Sequence, residues 1–352
     1  MALRDRLIAQ ITAGGPMSVA QYMTACLHDP KEGYYATRPA LGAAGDFVTA
    51  PLVSQMFGEL ISLWLVEVWS QLGRPSTFRL VEIGPGDGTL MSDIQRAAAL
   101  VPEFLVAQDL WLVETSEPLR GRQRAQLGPS PQWVATLGEV PTGAPILLVA
   151  NELLDCLPAR QFVRGAAGWT ERGVGIDSSG ALAFGGMGAM PAGLFPDAAP
   201  GAIWEQSAGQ EALAYEIGAR IERDGGAALL IDYGRGRPGF GDTLQALAGH
   251  KKVSPLAHPG EADLTMHVDF PAVLAAARRA GAEAAPLQTQ GDFLVRLGIG
   301  ARAEALAGAR PDQASRIEAQ LERLISPDQM GELFKVACLH QPGLAPPGFE
   351  EC

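Results

Sequence analysis

Three observations predict an α/β fold built on a mostly parallel sheet. From residue 79 onward, short apolar runs alternate with amphipathic segments, the pattern of strands buried on both faces and joined by crossover helices. The first of these runs, RLVEI (79–83), passes directly into GPGDG (84–88), which places three glycines at the end of a strand. The 352 residues are 47% hydrophobic and 19% charged, a composition suited to a packed domain and too apolar for a disordered chain.

Ahead of the sheet pattern, apolar residues at three- and four-residue spacing predict helices over 16–29 and 54–73. Between them, GYYATRPALGAAGDFVTAP (33–51) is too rich in Gly and Pro for a helix and is expected to be a loop. Residues 1–75 are therefore expected to form a helical N-terminal extension, and 76–352 the α/β domain. Strands are predicted at 79–83, 109–114, 132–135, 145–151 and 227–233, with helices at 89–100 and 116–127. Two later apolar stretches, around 283–290 and at 334–339, complete an expected seven-stranded sheet. Two segments interrupt the rhythm. At about 158–205, strand-like pieces alternate with Gly and Ser turns, which predicts an inserted β-meander; at about 234–267 a long loop is expected, as a lid or substrate wall. Both follow carboxyl ends of strands, the edge of an open α/β sheet where ligands bind.

The net charge of −12 opposes non-specific binding to nucleic acid, and no basic stripe offsets it. The cysteines at 26, 156, 338 and 352 form no C-x-x-C pair, so neither a zinc ribbon nor a disulfide framework is expected. His250, His258 and His267 are too widely separated to read as a metal set, and no metal is expected. No apolar run reaches membrane-spanning length, and the first residues lack the apolar core of a signal peptide. A cytoplasmic location is the expectation.

The glycine loop selects among ligands. A phosphate-binding P-loop needs Gly-Lys-Ser/Thr, whereas this chain has Gly88-Thr89-Leu90. A dinucleotide fingerprint counted from Gly84 needs Gly or Ala at 89, where Thr89 stands. Glu82 and Asp87 flank the loop and would repel a pyrophosphate, yet suit a ligand carrying an ammonium and a sulfonium. S-adenosyl-L-methionine is such a ligand, and E-x-G-x-G-x-G over Glu82–Gly88 resembles the first motif of class I methyltransferases. The resemblance implies that Gly84, Gly86 and Gly88 accommodate the methionine portion and that Glu82 and Asp87 receive its amino group. It also places Glu114 at the ribose hydroxyls, Thr136 and Leu137 around the adenine, and Asn151 beside the transferable methyl. Dinucleotide enzymes use a similar acid at the position of Glu114.

The blocks GDFVTAPLVSQMFGELI, LVEIGPGDGTLMSDI, ANELLDCLPARQF, LLIDYG, GDTLQAL, GEADLTMHVDF and MGELFKV, in that order, resemble the MidA-like proteins, whose mitochondrial members are complex I assembly-factor arginine methyltransferases. The likeness runs from about residue 15 to 340. It implies a Rossmann-like class I methyltransferase fold, S-adenosyl-L-methionine as cofactor, and symmetric dimethylation of an arginine in a protein substrate such as a respiratory-complex subunit. Richness in Ala and Gly favours a bacterial member.

At the fourth strand's end, Asn151, Glu152 and Asp155 are the catalytic candidates. Carboxylates can grip a guanidinium by its N–H edges and localise its charge away from the attacking nitrogen. Helix capping is the open alternative for Asn151 and Asp155. Gln55 and Glu59, four apart on an apolar helix, face either the substrate cleft or solvent. His267 and Asp269 precede Pro271 and either line the site or start a helix; Asp46 either contacts the ligand or serves a turn. A homodimer is compatible with apolar faces on the N-terminal helices. Two rival functions are a non-catalytic assembly chaperone that keeps the fold and a nicotinamide-dependent oxidoreductase, the latter opposed by Glu82, Asp87 and Thr89.

Overall fold

The computed structural model describes residues 2–37 and 49–350. The long strands in chain order are β1 (Phe78–Ile83), β2 (Gln108–Val113), β3 (Gln132–Val134), β4 (Ile146–Asn151), β5 (Arg160–Arg164), β6 (Trp169–Ile176), β7 (Leu182–Ala189), β8 (Ile203–Gln206), β9 (Gly226–Arg235) and β10 (Phe334–His340). The central sheet runs Glu283–Ala284, β10, β9, β4, β1, β2, β3, with two further two-residue strands paired off this line. Pairs from β9 to β3 are parallel, whereas β10 runs antiparallel to β9. This is the Rossmann-like arrangement expected from the alternation of runs. The predicted strand at 283–290 is split into Glu283–Ala284 and Gln288–Thr289, both on β10. Pro286 lies between them, and a residue without an N–H cannot continue the ladder.

Helices cover both faces. On one side α3 (Gln55–Gln71) and α4 (Thr89–Ala98) pack Phe57, Trp64, Leu90 and Ile94 against Leu80, Leu112, Leu147 and Leu229. On the other, α6 (Ala208–Asp224) and α7 (Phe270–Arg279) pack Ile217, Ile221, Phe270 and Val273 against Val81, Leu148 and Leu230. The helix predicted at 116–127 is α5 (Glu117–Leu127), which follows β2. Since β4 and β9 are buried along nearly their whole length, their sequences read as continuous apolar runs.

Above the carboxyl edge lies a third hydrophobic cluster. It joins α1 (Leu3–Gly14) and α2 (Val19–His28) to the antiparallel sheet β7–β6–β5–β8 and to a small sheet formed by Gln245–Ala248, Lys251–Val253 and Asp263–Thr265. Leu7, Ile11, Met23, Val174, Leu264 and Met266 meet there, and the Tyr22 hydroxyl donates to the Pro255 carbonyl at 2.8 Å. Residues 1–75 thus do two jobs: α1 and α2 build this cap, while α3 is a layer of the central domain. The segment 234–267, expected as a long loop, contains three strands. Its hairpin turn uses Gly249 and His250 at φ 57° and 60°, the two positive values of a type I′ turn. Among the described residues, no helix is long and apolar enough to cross a membrane.

Candidate active site

In the sheet, β1 and β4 are neighbours, although β2 and β3 lie between them in the chain. Connections leave the two strands in opposite directions, so a crevice opens at their carboxyl ends, where open α/β sheets bind ligands. The segments entering that crevice are the glycine loop after β1 and the turn Asn151–Asp155 after β4.

Gly84, Gly86 and Gly88 adopt φ of 67°, 56° and 90°, a left-handed series that side chains resist. A Cβ on Gly84 would also lie 2.8 Å from Leu153 Cδ1. The Gly88 N–H closes the turn on the Pro85 carbonyl at 2.8 Å, and the Thr89 N–H donates to Asp87 Oδ1 at 3.0 Å, which starts α4. Glu82, beneath the loop, is 2% exposed and its Oε2 has no hydrogen-bond partner among the described residues. Burial, and then the charges of Asp87 and Glu114, push its carboxyl up to about 8. Glu114, at the end of β2, accepts from the Ser116 N–H at 2.7 Å and from Gln123 Nε2 at 3.3 Å. The same Gln123 nitrogen donates to the Gly86 carbonyl at 2.8 Å, tying the glycine loop to Glu114.

After β4, Glu152 sits at φ 52°, a conformation that costs a non-glycine residue energy and is concentrated at functional positions. Its Oε1 accepts from the Ala50 N–H at 3.1 Å and from Asn151 Nδ2 at 3.2 Å; burial, reinforced by Asp155, pushes its carboxyl up to about 7. Asp155 is buried and accepts from the Tyr233 hydroxyl at Oδ2, 2.5 Å away. Burial raises its proton affinity, and the phenol bond works against that rise.

These groups share space. A cavity of about 330 Å³ is lined by Gly84, Gly86, Glu114, Glu152 and Asp155, and a smaller recess beside it by Glu82, Asp87, Asn151 and Glu152. Of the residues expected to hold a ligand, the structure brings these eight to one place; Gly88 lies directly behind, at the N-cap of α4.

Six others stand outside the lining of the cavity and its recess. Thr136 donates to Glu139 at 2.8 Å and Leu137 is buried in the core, so the cavity wall after β3 is Ala135. Glu59 is gripped by Arg302 at 2.7 Å and Arg96 at 2.9 Å, and Gln55 donates to Glu59 at 3.3 Å; a buried acid on an apolar helix found ion partners in place of a substrate. Asp269 caps α7 through the Ala272 N–H at 3.2 Å and pairs with Arg235 at 3.1 Å. His267 stands edge-on to the Tyr233 ring at 5.5 Å, one layer behind the cavity. Asp46 lies outside the described residues.

The cap supplies walls that sequence reasoning missed. His28 stacks on Tyr35 at 5.7 Å, the Tyr35 hydroxyl donates to Asp263 Oδ1 at 3.3 Å, and all three line the cavity with Cys156. Asp263 belongs to the block GEADLTMHVDF, but nothing in its local sequence signals that it shares a cavity with the turn after β4.

Strand order, glycine loop and acidic strand ends together define a methyltransferase that uses S-adenosyl-L-methionine. Comparison with known proteins agrees. Residues 60–288 match the family described as S-adenosyl-L-methionine-dependent methyltransferases, and the chain belongs to that family. "Protein arginine methyltransferase NDUFAF7 homolog, mitochondrial" from Drosophila melanogaster is 35% identical, covering 95% of this chain and 84% of its own length. The human "Protein arginine methyltransferase NDUFAF7, mitochondrial" is 34% identical, with 95% and 82% covered. A Burkholderia thailandensis protein crystallised with S-adenosyl-homocysteine superposes with a TM-score of 0.84 at 30% identity, covering 99% of this chain and 93% of that one. The residues present fit the cofactor: among the described residues the buried Glu82 Oε2 has no hydrogen-bond partner, which an ammonium would supply, and a loop with three glycines gives a methionine portion room.

Proposed function

We propose that this enzyme methylates the guanidinium of an arginine in a protein, and that Glu152 and Asp155 receive that guanidinium. The observation carrying this reading is that two carboxyl groups from one turn line the same cavity as the glycine loop. The names of the relatives support arginine as the acceptor.

S-adenosyl-L-methionine, when bound, supplies a methyl group on a positively charged sulfur. The chain must align the acceptor nitrogen with it, exclude water and take up one proton. Glu152 Oε1 is occupied by Ala50 and Asn151, which leaves Oε2 for a guanidinium N–H. Asp155 Oδ2 is occupied by Tyr233, which leaves Oδ1. Two acceptors from one turn hold the planar cation by its edges and draw its charge away from the nitrogen that reacts. A carboxyl whose proton affinity lies near neutrality, as at Glu152, can accept the proton released and return it to solvent between turnovers.

Symmetric dimethylation and a respiratory-complex subunit as target belong to the same proposal. Its test is labelled methyl transfer from S-adenosyl-L-methionine into a cell extract, followed by mass spectrometry of the labelled protein. Label on arginine that disappears with Glu152→Gln supports the reading; label confined to small molecules or nucleic acid rejects it.

A further inference from the structure

Resting on that reading, the deeper question is what keeps Asp155 in position, since a carboxylate on a turn has several rotamers and a buried one resists charge. The neighbouring strand answers it. Asp232 and Tyr233 stand near the end of β9, beside β4, and both reach across to the turn.

Asp232 is fully buried, and its hydrogen bonds come from backbone N–H groups: Leu154 at 2.8 Å and Asp155 at 3.2 Å to Oδ2, and Tyr233 at 2.8 Å to Oδ1. Two consecutive amides of the turn therefore converge on one carboxyl oxygen. Tyr233 takes the side chain of the same turn through its hydroxyl, 2.5 Å from Asp155 Oδ2. The phenol ring is itself fixed edge-on between His267 and Phe334, each with centroids 5.5 Å away. Asp155 is thus held at its backbone by one residue of β9 and at its carboxylate by the next. Asp155 lines the cavity, whereas Asp232 and Tyr233 stand behind it.

We infer that Asp232 and Tyr233 are positioning residues for methyl transfer, a two-point brace that fixes Asp155 with Oδ1 available to the acceptor. Buried supporting bonds of this kind decide whether a site is present and tight or present and loose.

The two members hold Asp155 at different points, one at its carboxylate and one at its backbone. The Tyr233 hydroxyl stabilises ionised Asp155, and the charge of Asp155 in turn raises the proton affinity of buried Asp232. Tyr233→Phe removes one oxygen and keeps the ring packing; Asp232→Asn keeps one acceptor oxygen and turns an NH2 donor against backbone N–H groups that both carboxylate oxygens now serve, so it loosens the backbone point of the brace. Carbon-detected carboxyl titration of the apo protein is expected to move the Asp155 midpoint up in Tyr233→Phe, and the acidic limb of the pH–rate profile for methyl transfer should move up with it. In Tyr233→Phe, kcat should fall about 10- to 100-fold with little change in KM for S-adenosyl-L-methionine. A purely structural role would lower the melting temperature in both variants without moving the Asp155 midpoint in Tyr233→Phe. An unmoved Asp155 titration alongside an inactive Asp155→Asn overturns the brace alone. Full activity in Asp155→Asn overturns the proposed clamp, and the brace's purpose with it.

Discussion

Glu82 makes the sharpest demand at the scale of single residues. Its carboxyl, ordinarily near 4.5 and raised to about 8, binds a proton more tightly in the folded protein than in the unfolded one. Its contribution to stability is therefore complete below about pH 4.5 and is lost as pH rises through 8, on the order of a few kcal/mol in all. Between pH 6 and 8, affinity for S-adenosyl-L-methionine should rise up to about tenfold per unit, because the ammonium favours the ionised acid. Glu82→Gln should flatten both trends, measured by thermal melting and calorimetry; an unchanged slope would contradict the pairing. Glu152→Gln keeps the shape and removes the acceptor of a proton, so methyl transfer should fall about 10²- to 10⁴-fold with the melting temperature nearly unchanged. Sequence made the residues on the glycine loop and on the β4 turn legible because their chemistry is local to a strand end. It left Glu59 and Asp269 open because an acid on a helix looks the same whether its partner is a substrate, a helix end or an arginine far away in the chain, as Arg302 is for Glu59. Tyr233 lay within a quoted block, and only the pairing of β9 with β4 reveals which carboxylate it meets.

Among elements, the strands and helices of the central domain could be read from periodicity, since each buried face repeats in register with its own geometry. The segment 234–267 defeated that method. Its strands, Gln245–Ala248, Lys251–Val253 and Asp263–Thr265, are too short for alternation to show, and one of them is largely charged. A stricter constraint sits where β9 begins. Gly226 has φ 114°, and a Cβ there would lie 1.9 Å from the Ile146 carbonyl oxygen of β4. Gly226→Ala must push apart the two strands whose far ends carry Asp155 and its brace. We expect a loss of more than about 3 kcal/mol, read by denaturant unfolding, with weaker methyl transfer in whatever remains folded. A variant as stable as the parent would mean that the strands can separate freely.

For the whole molecule, the cap and the sheet are one functional object, because the cavity has its floor in the sheet and its walls in α2, Tyr35 and Asp263. Leu264, 1% exposed in the cap cluster and next to Asp263, tests the coupling. Leu264→Ala should cost about 2–5 kcal/mol and lower methyl transfer, while cofactor binding at the glycine loop changes less. Equal losses in both would mean that the cap does not shape the acceptor's side of the cavity. The cap core also has a consequence for biosynthesis. Leu3, Leu7 and Ile11 leave the ribosome long before Ala246, Leu264 and Met266, which share their cluster from more than two hundred residues downstream. A nascent chain stalled before those residues should leave α1 open to protease, with protection arriving only once translation has passed them.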